Sequence, residues 1–229
     1  MNEHITSSTD VFGQFQIQTF KTGLWRQNSY IVTHISTGNI IVVDPGGRED
    51  ELIEAIYQVK GQLRLILLTH AHHDHVGALA KISNEFQIAF HFHSDDKKLL
   101  NRVPLYAMSF EKRTMIVPRN YCFLQGGAIT LPDLSVEYIH VPGHTQGSVC
   151  FVWGSLAFSG DTLLYKLVGR SDLPGANPQK IISSIQHLLD TLSPETTLFP
   201  GHSRPWLVSE ARQWWRENYC STKQQRARA

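Results

Sequence analysis

Short runs of alternating or β-branched apolar residues predict strands along both parts of the chain. In the first part they cover residues 15–20, 28–34, 39–43 and 88–92, and the run at 63–68, which is apolar except for Arg64, is typical of a strand covered on both faces. In the second part they cover residues 129–131, 135–140, 148–153, 156–159 and 196–199. Turn-forming residues, as in Asp44-Pro-Gly-Gly47, separate these runs.

Apolar residues at helical spacing predict helices that alternate with the strands. These helices cover residues 49–60, 76–85, 178–192 and 208–219. A short helix is expected over residues 95–100, with Ser94 as its N-cap. Residues 105–125 have weak periodicity, so we expect an irregular segment over the functional site there.

The order of these elements predicts an α/β fold built from two similar halves. Each half has several antiparallel strands followed by a helix, a strand and a helix, which favours two sheets packed face to face with helices outside. We therefore expect a four-layer αββα sandwich that forms a single domain over residues 1–229. Its halves are residues 1–126 and 127–229, and the site is expected to lie between them.

Four side chains of metal-ligand type lie within six residues, in the string His70-Ala-His72-His-Asp74-His75. In extended backbone, His70 and His72 point the same way because they are two residues apart. Asp74 and His75 follow in the turn into the next helix and can face a second point nearby. Imidazole and carboxylate groups suit zinc, iron or manganese. His73 fills the position between ligands, and we interpret it as a non-ligand.

Three later loops each follow a predicted strand and offer one more ligand beside a glycine: Pro142-Gly-His144, Ser159-Gly-Asp161 and Pro200-Gly-His202. A glycine beside the ligand allows close approach of the backbone. Together the segments supply more ligands than one tetrahedral metal can use. They indicate two divalent metal ions, zinc in the first place, and Asp161 can bridge them because a carboxylate has two oxygens.

The composition argues against several classes of binding partner. Hydrophobic residues make up 41% of the 229 residues and the formal net charge is +1, which excludes a disordered chain and gives no electrostatic signature of nucleic-acid or membrane binding. No apolar run approaches the ~20 residues of a membrane span. The polar first ten residues and three widely spaced cysteines indicate neither a secretory signal nor a disulfide framework. We expect a cytoplasmic protein with a small-molecule substrate, and the sequence leaves its oligomeric state open.

These motifs resemble those of the metallo-β-lactamase superfamily. The resemblance runs from Asn28-Ser-Tyr-Ile-Val through Val43-Asp-Pro-Gly-Gly47 to Pro200-Gly-His202. It implies the αββα fold and a dinuclear centre. One metal would be held by His70, His72 and His144, the second by Asp74, His75 and His202, and Asp161 would bridge the two. It also implies a supporting acid at Asp44.

One loop segment indicates a branch of the superfamily. Val168-Gly-Arg170-Ser-Asp172-Leu-Pro-Gly175 resembles the Gly-Arg-x-Asp segment of short bacterial glyoxalase II-like hydrolases, which places Arg170 and Asp172 in a substrate loop. That resemblance implies hydrolysis of glutathione thioesters. Full-length glyoxalase II has a helical C-terminal domain with basic residues that hold glutathione, whereas 27 residues follow His202 here. The expected substrate is therefore S-acylglutathione or a related thioester.

The working hypothesis is a hydrolase in which two metals share a water, lower its pKa and so supply a bridging hydroxide. Asp74 is the expected catalytic residue, because it both ligates a metal and can orient this hydroxide. Two alternatives stay open. A persulfide dioxygenase would use a single iron held by His70, His144 and Asp161, and an acyl-homoserine-lactone lactonase would use the same ligands with another acyl pocket.

Overall fold

A seven-stranded sheet forms the first half of the molecule. The computed structural model describes residues 7–220, so the first six residues and the basic tail lie outside the described residues. The sheet order follows the chain; its first four strands pair antiparallel and its last four parallel. The strands are β1 (Ser7–Phe12), β2 (Phe15–Thr22), β3 (Gln27–His34), β4 (Asn39–Val43), β5 (Gln62–Leu67), β6 (Phe90–Phe92) and β7 (Tyr121–Phe123).

The second half contains a six-stranded sheet in the order β15-β14-β11-β10-β9-β8 and a small separate hairpin, β12-β13. Within the larger sheet, β11 and β14 pair parallel and the other neighbours pair antiparallel. The strands are β8 (Ala128–Leu131), β9 (Leu134–His140), β10 (Val149–Trp153), β11 (Leu156–Gly160), β12 (Leu163–Leu164), β13 (Leu167–Val168), β14 (Thr197–Pro200) and β15 (Trp206–Leu207).

Helices cover the outer face of each sheet. The first half carries α1 (Glu49–Gln58), α2 (Leu79–Phe86), α3 (Lys97–Leu100) and α4 (Val103–Tyr106), and the second half carries α5 (Pro178–Thr191) and α6 (Val208–Trp215). Helix α5 begins at a side-chain cap, because Asn177 Oδ1 accepts a hydrogen bond of 2.9 Å from the backbone N–H of Lys180. Among residues 7–220, no helix combines the length and the apolar character needed to cross a membrane.

Three apolar clusters separate the four layers. Alternate residues of β4 point to opposite faces, so Ile40 and Val42 pack under α1 and α2, whereas Ile41 and Val43 pack against the second sheet. The third cluster lies between the second sheet and helices α5 and α6. Because both sheets are covered on both faces, the expected αββα sandwich of two halves is confirmed.

Several expected details of the fold are wrong. The N-cap of the turn Ser94–Asp96 is His93, whose side chain accepts from the backbone N–H of Asp95, and not Ser94. The segment 105–125 is less irregular than expected, because it contains the end of α4, a π-helical turn at Ala107–Glu111 and strand β7. Strand β1 was not predicted, since its residues are largely polar and exposed.

The second predicted helix begins later than expected. A single 3-10 turn at His73–His75 precedes it, and the regular helix α2 starts only at Leu79. The turn holds consecutive side chains of the metal-ligand string outside the regular helix. The predicted ligands therefore project from a turn at the end of β5 and not from a helix face.

Candidate metal centre

The predicted metal ligands are gathered by loops that leave the ends of strands. Strand β5 leads to His70, His72, Asp74 and His75, and the loops after β9, β11 and β14 carry the remaining three. Each of these strands lies in the interior of its sheet, which fixes where its loop begins. All seven residues meet in the cleft between the two halves. Six of them form two groups that could each hold a metal ion, His70, His72, His144 and Asp74, His75, His202, and Asp161 is the seventh.

The first trio consists of three imidazoles that meet at one point. His144 Nε2 lies 3.3 Å from His70 Nε2 and 2.9 Å from His72 Nδ1. A tetrahedral zinc site with Zn–N bonds of about 2.1 Å would set donor atoms about 3.4 Å apart. These nitrogens are therefore close to the separation that a shared metal ion imposes.

The second trio adds a carboxylate to two imidazoles. Asp74 Oδ2 lies 3.3 Å from His202 Nε2 and 3.8 Å from His75 Nε2. The two trios adjoin each other, because the ring centroids of His70 and His75 are 4.1 Å apart. The arrangement is that of two neighbouring metal positions.

Asp161 lies between the two trios. Its Oδ1 is 3.6 Å from His75 Nε2, and its Oδ2 is 3.5 Å from His202 Nε2 and 3.7 Å from His144 Nε2. Asp161 Oδ1 and His75 Nε2 are both buried without a hydrogen-bond partner. Unsatisfied buried polar atoms are costly, and two that face each other at non-bonding distance fit a cation between them. The donor set therefore fits a dinuclear metal centre.

Partners on Nδ1 orient four of the imidazoles, since Thr69 Oγ1 lies 3.1 Å from His70 Nδ1. His75 Nδ1 donates to Asp44 Oδ2 at 2.9 Å, His144 Nδ1 to the carbonyl of Arg170 at 2.7 Å, and His202 Nδ1 to the carbonyl of Trp25 at 3.0 Å. A proton held on Nδ1 leaves Nε2 as a free lone pair, which is the form that binds a metal.

The side chains of the site have strongly shifted pKa values. Burial, helped by the neighbouring histidines, lowers the pKa of His70 and His72 well below the usual value, so both are neutral ligands. Burial opposes the charge on His75, but Asp74, Asp44 and Asp161 outweigh it and raise the pKa of His75 to about 9. Against the effect of burial, His75 and His202 lower the pKa of Asp74. His70 and His72 are thus already in the neutral form that binds a metal, whereas His75 must first release a proton.

Asp44 occupies the supporting position that the sequence resemblance implies. Its Oδ1 accepts from the backbone N–H of Thr69 at 2.7 Å, and its Oδ2 accepts from Thr69 Oγ1 at 2.6 Å as well as from His75. The carboxylate thus ties the end of β4 to the loop that begins the ligand string, and it is only 1% exposed.

Gly201 shows why a glycine stands beside a ligand. A Cβ at this position would collide with Asp161 Oδ1 and would lie 2.7 Å from His75 Cε1. The chain can therefore bring the His202 loop against Asp161 only without a side chain at residue 201.

The loop residues Arg170 and Asp172 are placed differently from the ligands. Their side chains pair with each other through two contacts of 3.0 Å and are well exposed. Arg170 reaches the site through its backbone carbonyl, which orients His144. Within the described part of the chain, Asp172 forms no hydrogen bond or ion pair with the predicted ligands, so a substrate role for either side chain stays a prediction.

Sequence reasoning missed two residues that support the site. Asn28 Nδ2 donates to the carbonyls of Pro200 and Ser203, and its backbone N–H donates to the carbonyl of Gly201. Asp96 bonds to the loops that carry His70, His72 and His144. Asn28 belongs to the motif Asn28-Ser-Tyr-Ile-Val, but the sequence assigned it no role. No local sequence pattern distinguishes Asp96 from its neighbour Asp95.

A third group of possible ligands, His93, Asp95 and His140, lies outside the centre. Its two imidazoles stack with centroids 4.1 Å apart. His93 Nδ1 already accepts from the backbone N–H of Asp95, and His140 Nε2 bonds to the carbonyl of Gln146. These nitrogens are used in holding the loops, so we assign the group no metal.

Comparison with known proteins defines the class to which this fold and donor set belong. The family model of the metallo-beta-lactamase superfamily matches residues 22–202, a span that contains every predicted ligand. The chain belongs to the metallo-beta-lactamase superfamily, which confirms the resemblance read from the sequence.

Individual relatives place the chain among the metallo-hydrolases of this superfamily. It is 32% identical over 169 residues to hydroxyacylglutathione hydrolase GloC of Haemophilus influenzae, covering 72% of this chain and 80% of that protein. It is 30% identical over 189 residues to the probable polyketide biosynthesis zinc-dependent hydrolase BaeB of Bacillus velezensis, covering 82% of this chain and 77% of that protein.

One similar solved structure contains bound metal and so gives information on which metals such sites can hold. The crystal structure of TTHA1623 in a di-iron-bound form matches with a TM-score of 0.75 and 33% identity, covering 85% of this chain and 96% of that one. One relative is thus named as zinc-dependent and another was crystallised with two irons. The superfamily binds divalent metals, and these comparisons leave the metal of this chain undetermined.

Proposed function

We propose that the protein is a dinuclear metal-dependent thioesterase of the glyoxalase II type, which hydrolyses S-acylglutathione or a related thioester. The position of Asp161 between two complete trios carries the proposal, because its two oxygens face His75 on one side and His144 on the other. The likeness to hydroxyacylglutathione hydrolase GloC supports the substrate class.

In this proposal the residues have separate tasks. His70, His72 and His144 would hold one metal ion, Asp74, His75 and His202 the other, and Asp161 both. Divalent metals held in this way lower the pKa of water and polarise carbonyl groups, which is the chemistry that ester and thioester hydrolysis requires.

The chain's own groups prepare the site for that chemistry. The Nδ1 partners of His75, His144 and His202 fix the rings, so little reorganisation is needed when substrate arrives. Asp74 presents a carboxylate on the same side as His202, where it can accept a hydrogen bond from the attacking water and orient it. A thiol leaving group has a pKa of about 8.5, so thioester cleavage requires no strong general acid.

The proposal is tested by thiol release from S-D-lactoylglutathione with purified, metal-loaded protein. We expect a kcat/KM above ~10⁴ M⁻¹s⁻¹, within the ordinary range of enzymes. Asp161→Asn should abolish turnover and reduce bound metal, since the amide removes the shared charge. A matched control is Asp190→Asn, because Asp190 is exposed on α5 and contacts Gln186.

The outcomes separate the competing functions. Absence of turnover by a protein that holds two metals per chain would refute S-lactoylglutathione as the substrate and redirect the search to other acyl substrates, lactones among them. One iron per chain with oxygen uptake on glutathione persulfide would refute hydrolysis in favour of the dioxygenase. Full activity of Asp161→Asn would overturn the dinuclear assignment.

A further inference from the structure

Asp96 is a buried carboxylate that none of the proposed steps uses. It ends the 3-10 turn after β6 and is 2% exposed. Its neighbour Asp95, by contrast, is exposed. A buried carboxylate is retained only where hydrogen bonds compensate for the loss of water, so its partners identify its task.

Three hydrogen bonds connect Asp96 to two different loops. Asp96 Oδ2 accepts from the backbone N–H of Ala71 at 2.9 Å and from Thr145 Oγ1 at 2.9 Å. Asp96 Oδ1 accepts from the backbone N–H of Gly147 at 2.8 Å. Ala71 is the residue between His70 and His72, and Thr145 directly follows His144. One carboxylate therefore links the backbone segments that carry all three members of the first trio.

The second loop is shaped around this carboxylate. A Cβ on Gly147 would lie 2.8 Å from Asp96 Cγ and 2.8 Å from its backbone nitrogen, so no larger residue fits without displacing Asp96. Thr145 is further fixed by Ser148, whose Oγ accepts from the backbone N–H of Thr145 at 3.0 Å. The close fit and the hydrogen bonds are independent observations of the same contact.

The second trio has other supports. His75 is oriented by Asp44, His202 by the carbonyl of Trp25, and the loop that carries His202 by Asn28. Among the described residues, none of the three side-chain hydrogen bonds of Asp96 reaches these groups. Disturbing Asp96 should therefore change one metal position and spare the other.

We propose that Asp96 is a positioning residue that sets the spacing of His70, His72 and His144 and thereby determines the affinity of the first metal position, an inference that rests on the proposed dinuclear centre. The Asp96→Asn substitution tests it with little change in shape. An amide has one accepting oxygen in place of two, so at least one of the donors at Ala71, Thr145 and Gly147 meets an NH₂ group instead.

The experiment measures Zn²⁺ affinity of the full chain by competition with a chromophoric chelator, in two backgrounds that isolate the positions. His202→Ala leaves the first trio intact, and His144→Ala leaves the second. We expect Asp96→Asn to weaken Zn²⁺ binding about 10- to 100-fold in the His202→Ala background, the usual effect of losing a group that supports metal ligands. In the His144→Ala background the change should stay within about twofold, as for a substitution away from the site.

Co²⁺ absorption gives a second readout. The d–d bands of the first position should shift or weaken in Asp96→Asn, because they report the ligand geometry directly. The control Asp95→Asn changes the adjacent, exposed carboxylate and should alter neither the bands nor the affinity. If Asp96→Asn fails to fold, as judged by circular dichroism, Thr145→Val removes one of the three donors and should show the same selectivity to a smaller degree.

The results separate the two proposals. Equal weakening of both positions, or unchanged affinity at the first, would overturn the role of Asp96 while leaving the dinuclear centre in place. A wild-type chain that binds no Zn²⁺ and no Co²⁺ would overturn both.

Discussion

Replacing Asp44 by Asn should place the proton of the neutral His75 ring on Nε2, whereas in the wild type the neutral ring keeps it on Nδ1. In the native site His75 Nδ1 donates to Asp44 Oδ2 at 2.9 Å, and Thr69 donates to both carboxylate oxygens. An asparagine in the same position can still accept from the backbone N–H of Thr69, and its NH₂ group then faces His75. The imidazole meets this donor best by accepting at Nδ1, which moves the ring proton to Nε2, the atom that faces Asp161.

The structure sets the size of the effect. Restoring the metal-binding tautomer would place two N–H groups against each other in a site where the His75 side chain is 0% exposed. A buried donor without a partner costs about 1–3 kcal/mol. This corresponds to a loss of Zn²⁺ affinity at the second position of roughly 5- to 150-fold, at about 1.4 kcal/mol for each factor of ten.

The assay is a Zn²⁺ competition titration of Asp44→Asn in the His144→Ala background, where only the second trio binds. A proton NMR titration of the metal-free variant should also show a pKa for His75 well below the value of about 9 in the wild type, since one of the carboxylates that raise it is gone. Asp133→Asn is the matched control, because Asp133 is an exposed acid that pairs with Arg64 at 2.9 Å. Wild-type affinity in Asp44→Asn would refute the tautomer argument.

Three further predictions concern the backbone, the thiols and the protons of the site. Gly201→Ala should fold but hold at most one metal per chain, since the new Cβ collides with Asp161; elemental analysis that finds two metals would contradict this. Cys122 is exposed and should be alkylated by iodoacetamide in the native protein. Cys150 is buried, which raises the pKa of its thiol, so it should react only in denaturant. Peptide mapping of the alkylated cysteines tests both expectations. Zn²⁺ binding at pH 7.5 should release protons, because His75 has a pKa of about 9 without the metal and must become neutral to bind it. The binding enthalpy measured by calorimetry should therefore depend on the ionisation enthalpy of the buffer. An enthalpy that is the same in all buffers would contradict this prediction.

The convergence of the candidate ligands could be predicted from the sequence because they lie in short strings with simple geometry. Residues two apart at a strand end face the same way, and glycines flank the isolated candidates, so local rules indicated that His70, His72 and His144 would face one site. Their role as metal ligands stays a prediction. The αββα layers could also be predicted, because the apolar runs that predicted strands coincide with most of the observed strands.

The supporting residues could not be predicted because their partners are distant in sequence. Asp96 bonds to residues 25, 49 and 51 positions away, and Asn28 to residues 172 and 175 positions away. Neither residue has a local pattern that sets it apart. Ser94 failed as a cap because the turn begins one residue earlier than expected, and the ring nitrogen of His93 accepts from the backbone N–H of Asp95.

Each proposed metal joins the two halves of the molecule. The first trio takes His70 and His72 from one half and His144 from the other, and the second takes Asp74 and His75 from one half and His202 from the other. A single-iron centre held by His70, His144 and Asp161 would leave the second trio without a purpose, although His75 and His202 are each oriented by a dedicated hydrogen bond. The oriented rings of His75 and His202, together with the buried Asp161 Oδ1 and His75 Nε2 that have no hydrogen-bond partner, favour a centre in which both positions are filled. This is the physical reason why we propose a dinuclear hydrolase rather than a mononuclear dioxygenase.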